Sequence, residues 1–173
     1  MSLLNRFKQV KCFVFDVDGV LTNGTLLLLD DGQMVRTMNI KDGYALQLAV
    51  KKGYQIAIIS GAGNGGVEQR LKRLGITDIY FNATDKELVL KDYLQQKKLQ
   101  PAEVLFMGDD LPDYQAMLAT GLPCCPADAV PEIKRISKYI ASLGGGQGCA
   151  REVIEKVLKL NGHWHVEAGI ASK

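Results

Sequence analysis

Asp16 and Asp18 stand two residues apart at the end of the apolar run Phe13-Val14-Phe15. In an extended chain, residues two apart project to the same side, so the two carboxylates crowd one spot at the carboxyl end of a strand. Like charges that close are costly unless a cation lies between them, and a divalent metal is the economical solution. Such a pair can instead serve an ordinary turn. Three further polar groups weigh against that: Ser60-Gly61 after Ile56-Ala57-Ile58-Ile59, Lys86 after a short strand and loop, and Gly108-Asp109-Asp110 after Val104-Leu105-Phe106-Met107. Open α/β sheets collect ligands at the carboxyl ends of their strands, so these groups are expected to converge on one site.

The elements that must hold them alternate along the chain. Phe13 to Phe15, Tyr54 to Ile59, Asp78 to Phe81, Val104 to Met107 and Leu122 to Cys125 read as strands, with Tyr139 to Ala141 as a last one. Helical patterns cover Tyr44 to Gly53, Val67 to Gly75, Lys86 to about Lys98, a segment opened by Pro112, Ala129 to Ile136, and Cys149 to Leu160. Thr84 is expected to cap the Lys86 helix, with Glu87 reaching back to it. A lysine in a first turn opposes the helix dipole, a misfit that makes sense if its ammonium is aimed at a phosphate and at Asp16. Gly61 to Gly66, five residues of six being glycine or alanine, form a turn that offers backbone N–H groups to an anion ahead of a helix. Together these predict a single doubly wound, Rossmann-like α/β domain over residues 1–173.

Two stretches stand outside that alternation. Thr25 to Leu29 and Met34 to Met38 flank Asp30-Asp31-Gly32-Gln33, the pattern of a β-hairpin over residues 25–38. Its four consecutive leucines, Leu26 to Leu29, are too apolar to face water on both sides, so they are expected either in the core or against another subunit. Residues 144–148 are Gly-Gly-Gly-Gln-Gly, and they precede the last helix.

Composition adds mainly exclusions. Lys and Arg number 21 against 19 Asp and Glu, a formal net charge of +2, which advertises neither nucleic acid nor a membrane surface as partner. No apolar run suits a signal peptide or a membrane span, so the cytoplasm is the expected compartment. The four cysteines match no zinc or redox spacing and read as free thiols. His163 and His165 flank Trp164 in a tail, residues 161–173, expected to be loose rather than metal-binding.

DVDGVLTNG from Asp16, the Ser60-Gly61 pair, Lys86 and GDDLPD from Gly108 resemble, in order, the four motifs of the haloacid dehalogenase superfamily of aspartate-nucleophile phosphotransferases. The resemblance implies that Asp16 attacks phosphorus to form an aspartyl-phosphate, and that Asp18 protonates the leaving alcohol and then activates water. It implies Mg²⁺ held by the Asp16 carboxylate, the Asp18 backbone carbonyl and Asp109, with Asp110 and Asp113 behind it. Ser60, the Gly61 N–H and Lys86 would neutralise the phosphoryl oxygens. An acid at position 18 favours a phosphate monoester over a halide, since an alkoxide needs a proton to leave.

The spaces between motifs leave no room for a cap domain. NIKDGYALQL from Asn39 and GGGQGCAREV from Gly144 resemble the 3-deoxy-D-manno-octulosonate 8-phosphate phosphatases of lipopolysaccharide precursor synthesis. That resemblance implies a homotetramer with hairpins at its centre and the tail of one subunit over a neighbour's site. Lys41, Arg70 and Arg151 are candidates for a sugar carboxylate. Ala62-Gly63-Asn64-Gly65 departs from the basic residues usual after the second motif, which keeps a nine-carbon keto-deoxy acid phosphate, or another small phosphate monoester, as an alternative substrate. An alternative of another class is a non-catalytic oligomeric partner of a nucleotidyltransferase. Loss of a catalytic aspartate or of Lys86 would mark that history, and neither is lost.

Overall fold

The computed structural model describes residues 1–63 and 65–165. Helix α1 (Leu3–Gln9) leads into β1 (Cys12–Phe15), whose four residues are all buried. A turn at Val17–Leu21 follows, then the short hairpin β2 (Leu27–Leu28) and β3 (Met34–Val35). From there α2 (Ile40–Lys51), β4 (Gln55–Ile59), α3 (Gly65–Arg73), β5 (Asp78–Tyr80) and α4 (Lys86–Lys97) alternate. The chain continues through β6 (Val104–Met107), α5 (Tyr114–Leu118), β7 (Leu122–Cys125), α6 (Pro131–Ile136), β8 (Tyr139–Ile140) and α7 (Cys149–Leu160).

Six strands form one parallel sheet in the order β5-β4-β1-β6-β7-β8. Alternate residues of β1 serve opposite faces: Phe13 and Phe15 pack with α1, α2, α3 and α7, whereas Cys12 and Val14 pack with α4, α5 and α6. The strand order reverses direction about β1, with β4 and β5 on one side and β6 to β8 on the other. That reversal is where a doubly wound sheet opens a crevice, and β1 delivers Asp16 into it. Phe15 lies level with Ile58 of β4 and Met107 of β6, so all three strands end at the same height. Only the hairpin and α2 stand between β1 and β4, and only α3 and β5 between β4 and α4, so the described residues include no cap domain.

Three local expectations are corrected. Asp85, not Thr84, caps α4: its carboxylate accepts from the Leu88 N–H at 2.9 Å, which displaces the Thr84–Glu87 box. An aspartate one residue nearer outcompetes the threonine because it brings a full negative charge to the helix N-terminus. Helix α1, absent from the sequence expectation, is anchored by one buried residue, Phe7, and capped by Ser2. The leucines of the hairpin do not reach the core, since Leu27 and Leu28 are 63% and 68% exposed.

The glycine run finds its explanation within the chain. Gly145 and Gly146 lie against the turn after β1: the Gly146 N–H donates to Val20 O at 2.9 Å, and a Cβ on Gly145 would stand 2.0 Å from Gly19 O. No side chain fits there. Asn39 Nδ2 donates to Gly146 O and Asp128 Oδ1 accepts from Gly145 N–H, so the strap is pinned on both flanks. In the tail, Trp164 packs against the core and the Tyr54 hydroxyl meets His163 Nδ1 at 2.9 Å, so residues 161–165 are docked. The remainder of the tail lies outside the described residues. All four cysteines are free and buried.

Asp42, on the first turn of α2, lends its carboxylate to α7. Its Oδ1 accepts from the Arg151 N–H at 2.7 Å, a cap that Gly148 cannot supply, while its Oδ2 is buried without a partner. Burial pushes this carboxyl up to about 6 despite the opposing Arg151 contacts. A group whose folded pKa is raised costs stability above that pKa, and the cost fades as pH falls through 6 towards the unfolded value. Asp42→Asn keeps the acceptor and removes the charge. At about pH 8 it should therefore be at least as stable as wild type, by up to ~3 kcal/mol, with the difference vanishing near pH 4 in urea unfolding.

Candidate active site

β1 ends at Asp16, whose N–H donates to Met107 O and whose Oδ1 accepts from the Val17 N–H at 2.7 Å. The other oxygen faces Lys86. Asp85 sets the start of α4 so that Lys86, the next residue, projects inward rather than to solvent, and it is only 5% exposed. Its Nζ lies 3.0 Å from Asp16 Oδ2 and 2.7 Å from Asp113 Oδ1. The sequence expectation paired Lys86 with Asp16 and missed Asp113 as its second partner. Asp113 is committed on its remaining side as well, since Oδ2 accepts from the Asp109 N–H at 3.1 Å. It thereby ties the loop after β6 to the lysine.

Asp109 is the outlier of the group. Its Oδ1 is buried without a hydrogen-bond partner, and oxygens of Asp16, Asp109 and Asp113 lie within 4.8 Å of one another. A buried, unpaired carboxylate oxygen beside two more carboxylates is an arrangement that a cation completes. Burial first, then the charges of Asp113, Asp16 and Asp110, push the Asp109 carboxyl up to about 7. Asp16 is raised to about 6 by burial and by Asp113, against the pull of Lys86. For Lys86, burial opposes the charge but the two carboxylates outweigh it and hold the ammonium protonated.

Gly19 makes room for this cluster. Its φ of +85° lies in the left-handed region, and a Cβ there would stand 1.9 Å from Asp109 Oδ2. Gly19→Ala is expected to lose about 2–4 kcal/mol of stability from backbone strain and overpacking. Activity measured at saturating metal should fall as well, because Asp109 must move; full activity with lowered stability would show that Asp109 tolerates displacement.

A cavity of about 280 Å³ opens over these groups, lined by Asp16, Asp18, Ser60, Gly61, Lys86, Asp109 and Asp110 among others. Seven residues expected at the site thus share one cavity, and Asp113 lies buried beneath it. The Asp110 carboxylate turns to the Leu111 N–H at its own helix start. Ser60 is held by two backbone bonds, its N–H to Tyr80 O and its carbonyl to the Ala83 N–H, which join the ends of β4 and β5. Three expected carboxylate binders do not line this cavity. Lys41 is exposed at the start of α2; Arg151 sits over the rings of Trp164 and Tyr44, at 5.3 and 5.8 Å, and pairs with Glu155. Arg70 lines a neighbouring cavity of about 610 Å³ between the hairpin and α3.

Arg36, just past β3, was not singled out from sequence. Its Nε and Nη2 reach Asp18 Oδ1 and Oδ2 at 2.6 and 3.0 Å, a two-pronged pair, with the arginine side chain only 5% exposed. Nothing in linear spacing connects positions 18 and 36; the hairpin returns the chain to its own starting point.

Known proteins agree with this arrangement. The haloacid dehalogenase-like hydrolase family matches residues 72–151. The 3-deoxy-D-manno-octulosonate 8-phosphate phosphatase KdsC of Escherichia coli is 32% identical over 161 residues, 93% of this chain and 86% of that protein. This chain belongs to that phosphatase family. The crystal structure of the enzyme of the same name from Yersinia pestis superposes with a TM-score of 0.91 at 30% identity, covering 93% of this chain and 87% of that one. The phosphatase from Moraxella catarrhalis, in complex with magnesium ion, phosphate ion and KDO, superposes with a TM-score of 0.88 at 31% identity over 91% and 90% of the two chains. The parallel sheet and the absence of a cap are thus family features, and the chain is a phosphatase of the haloacid dehalogenase type.

Proposed function

We propose that this phosphatase hydrolyses 3-deoxy-D-manno-octulosonate 8-phosphate to the free sugar acid and phosphate, using Asp16 as nucleophile. The observation that carries this most directly is the Lys86 bridge between Asp16 and Asp113, beside the unpartnered oxygen of Asp109. Lys86 and the Val17 N–H aim Asp16 into the cavity and oppose the burial that raises its carboxyl to about 6, so above that pH it attacks phosphorus as the carboxylate. Lys86, Ser60 and the Gly61 N–H border the space in which the phosphoryl oxygens would lie. Asp18 supplies the proton for the sugar oxygen as the P–O bond breaks, and later takes one from the water that attacks the aspartyl-phosphate.

Asp16, Asp109 and the carbonyl of Asp18 would hold Mg²⁺, with Asp113 and Asp110 behind them. Bound there, the ion would screen the phosphate from the carboxylates and draw charge from its oxygens. The substrate rests on the family: relatives covering over nine-tenths of this chain carry that name.

The chain forms a single domain and acts in the cytoplasm; among the described residues no helix is long and apolar enough to cross a membrane. A second copy of the chain covers the exposed hairpin leucines, as part of a homotetramer, which accounts for six apolar side chains, Leu26 to Leu29, Met34 and Val35, standing in solvent.

Phosphate release from a panel of sugar and sugar-acid phosphates, with and without Mg²⁺, tests the substrate. A metal-dependent preference for the octulosonate 8-phosphate is expected. Preference for the nine-carbon acid would keep the chemistry and replace the substrate, and no release from any ester would leave the non-catalytic alternative.

A further inference from the structure

A cavity of about 750 Å³ lies at the edge of the sheet opposite the catalytic groups, where β1, β4 and β6 begin. Lys11 precedes β1, Gln55 opens β4 and Glu103 precedes β6, and all three line it. Backbone bonds hold that floor together: the Lys11 N–H donates to Glu103 O at 2.8 Å, and the Gln55 N–H donates to Lys11 O at 3.0 Å. The rim is docked as well, since the Tyr54 hydroxyl meets His163 Nδ1 at 2.9 Å and both residues line the cavity. Asp16 lies five residues beyond Lys11 along β1, about 16 Å away, so this cavity is distinct from the active site.

The charge of the lining is one-sided. Lys8, Lys11, Lys52 and Lys97 line the cavity, against a single carboxylate among the described residues, Glu103, which Lys11 meets at 2.6 Å. Lys97 also meets Asp78, at 2.8 Å, beyond the lining. Part of this arrangement serves the helices. Lys8 and Lys97 stand in the last turns of α1 and α4, and Lys52 is the carboxyl cap of α2, where a cation complements the helix dipole. That role is satisfied one helix at a time and does not call for four lysines around one space. Like charges gathered round a hollow repel one another, and an anion placed among them relieves the repulsion.

The residue types indicate which anion. A carboxylate is matched by the planar fork of arginine, and among the described residues no arginine lines this cavity. An ammonium is a compact charge with three donors, suited to phosphate oxygens, and four of them spread round one space suit more than one phosphate. Gln55, Gln100 and Asn161 add carboxamides, each both donor and acceptor, which can pair with a base or a sugar. The volume falls within the ~300–1,000 Å³ of small-molecule sites. We propose that this cavity is a second ligand site, which binds a small molecule through a polyphosphate group held by Lys8, Lys11, Lys52 and Lys97. A nucleoside triphosphate and inorganic tripolyphosphate both present that group. The site stands outside the catalytic machinery, and its occupancy does not depend on the phosphatase reaction.

The test is calorimetric titration of the full chain with ATP and, separately, with inorganic tripolyphosphate, at low ionic strength and without divalent metal. Saturable binding at one site per chain is expected. Lys8→Ala/Lys52→Ala should weaken it at least about tenfold while leaving phosphatase turnover unchanged. Lys72→Ala/Lys91→Ala removes the same charge from lysines outside the cavity, paired with Glu68 and Glu87, and should bind as wild type does. Thermal melts establish that the variants are folded, and Lys8→Ala alone, at an exposed position, serves if the double variant is not, with about threefold weakening expected. Tighter binding of ATP identifies a nucleotide read by the carboxamides, and equal or tighter binding of tripolyphosphate identifies the phosphate chain alone; each supports the site. No saturable binding of either, an equal loss in both double variants, or full binding by Lys8→Ala/Lys52→Ala overturns the proposal.

Discussion

Asp16→Asn is expected to abolish phosphate release, by at least ~10⁴-fold, while leaving the chain folded and no less stable. The two effects separate because Asp16 serves chemistry at the expense of the fold. Burial and the neighbouring Asp113 hold its carboxyl near 6, so at about pH 8 its ionised form costs stability that an amide would not. Asparagine keeps an acceptor for the Val17 N–H, and Lys86 keeps Asp113 at 2.7 Å, so no buried charge is orphaned by the change. Urea unfolding and phosphate release measured on the same preparation check both halves. A variant that loses activity only by unfolding would reduce Asp16 to a structural residue.

Lys86→Met should fail on both counts. Removing the ammonium leaves Asp16, Asp109 and Asp113 crowded without the cation between them. Breaking a buried pair by deleting one partner typically costs about 3–5 kcal/mol, and two carboxylates, Asp16 and Asp113, lose their paired charge here. The sign of the pH dependence follows from the raised carboxyls: Asp16 and Asp109, near 6 and 7 in the wild-type fold, cost most above those values and recover as pH falls through them. Without Lys86 both carboxyls move higher, so the variant should regain stability on acidification from a higher starting pH than wild type. Mg²⁺ should restore part of the stability, since it substitutes one cation for another, yet not the activity. A Lys86→Met chain as stable as wild type at about pH 8 would mean that the carboxylates are paired otherwise.

Much of this site is legible in the sequence because its residues sit at strand ends. Asp16, Ser60 and Gly108 each follow a short apolar run, and parallel strands that start in register must end together, so their polar termini share one edge. What could not be read is carried by loops that return to the site from elsewhere. Arg36 reaches Asp18 only because a hairpin doubles back over the turn after β1, and hairpin length and twist are not written in residue spacing. Asp113 reads as one more helix cap, and its grip on Lys86 appears only once α4 and the loop after β6 are side by side. The glycine strap carried a signal, four glycines in five residues, but its meaning as a close approach to Gly19 and Val20 depends on a contact more than a hundred residues away. The choice of Asp85 over Thr84 as cap turned on a one-residue shift that competing polar side chains leave open.

The central claim is that Asp16 carries the phosphoryl group between sugar and water. Rapid acid quenching of turnover with radiolabelled ester, followed by peptide mapping, tests it most directly. The account predicts label on the peptide containing Asp16, discharged by hydroxylamine as an acyl phosphate is, and absent from Asp16→Asn. Turnover at the full rate with no label retained at any quench time, under conditions where release of phosphate is demonstrably slower than sugar release, would contradict it.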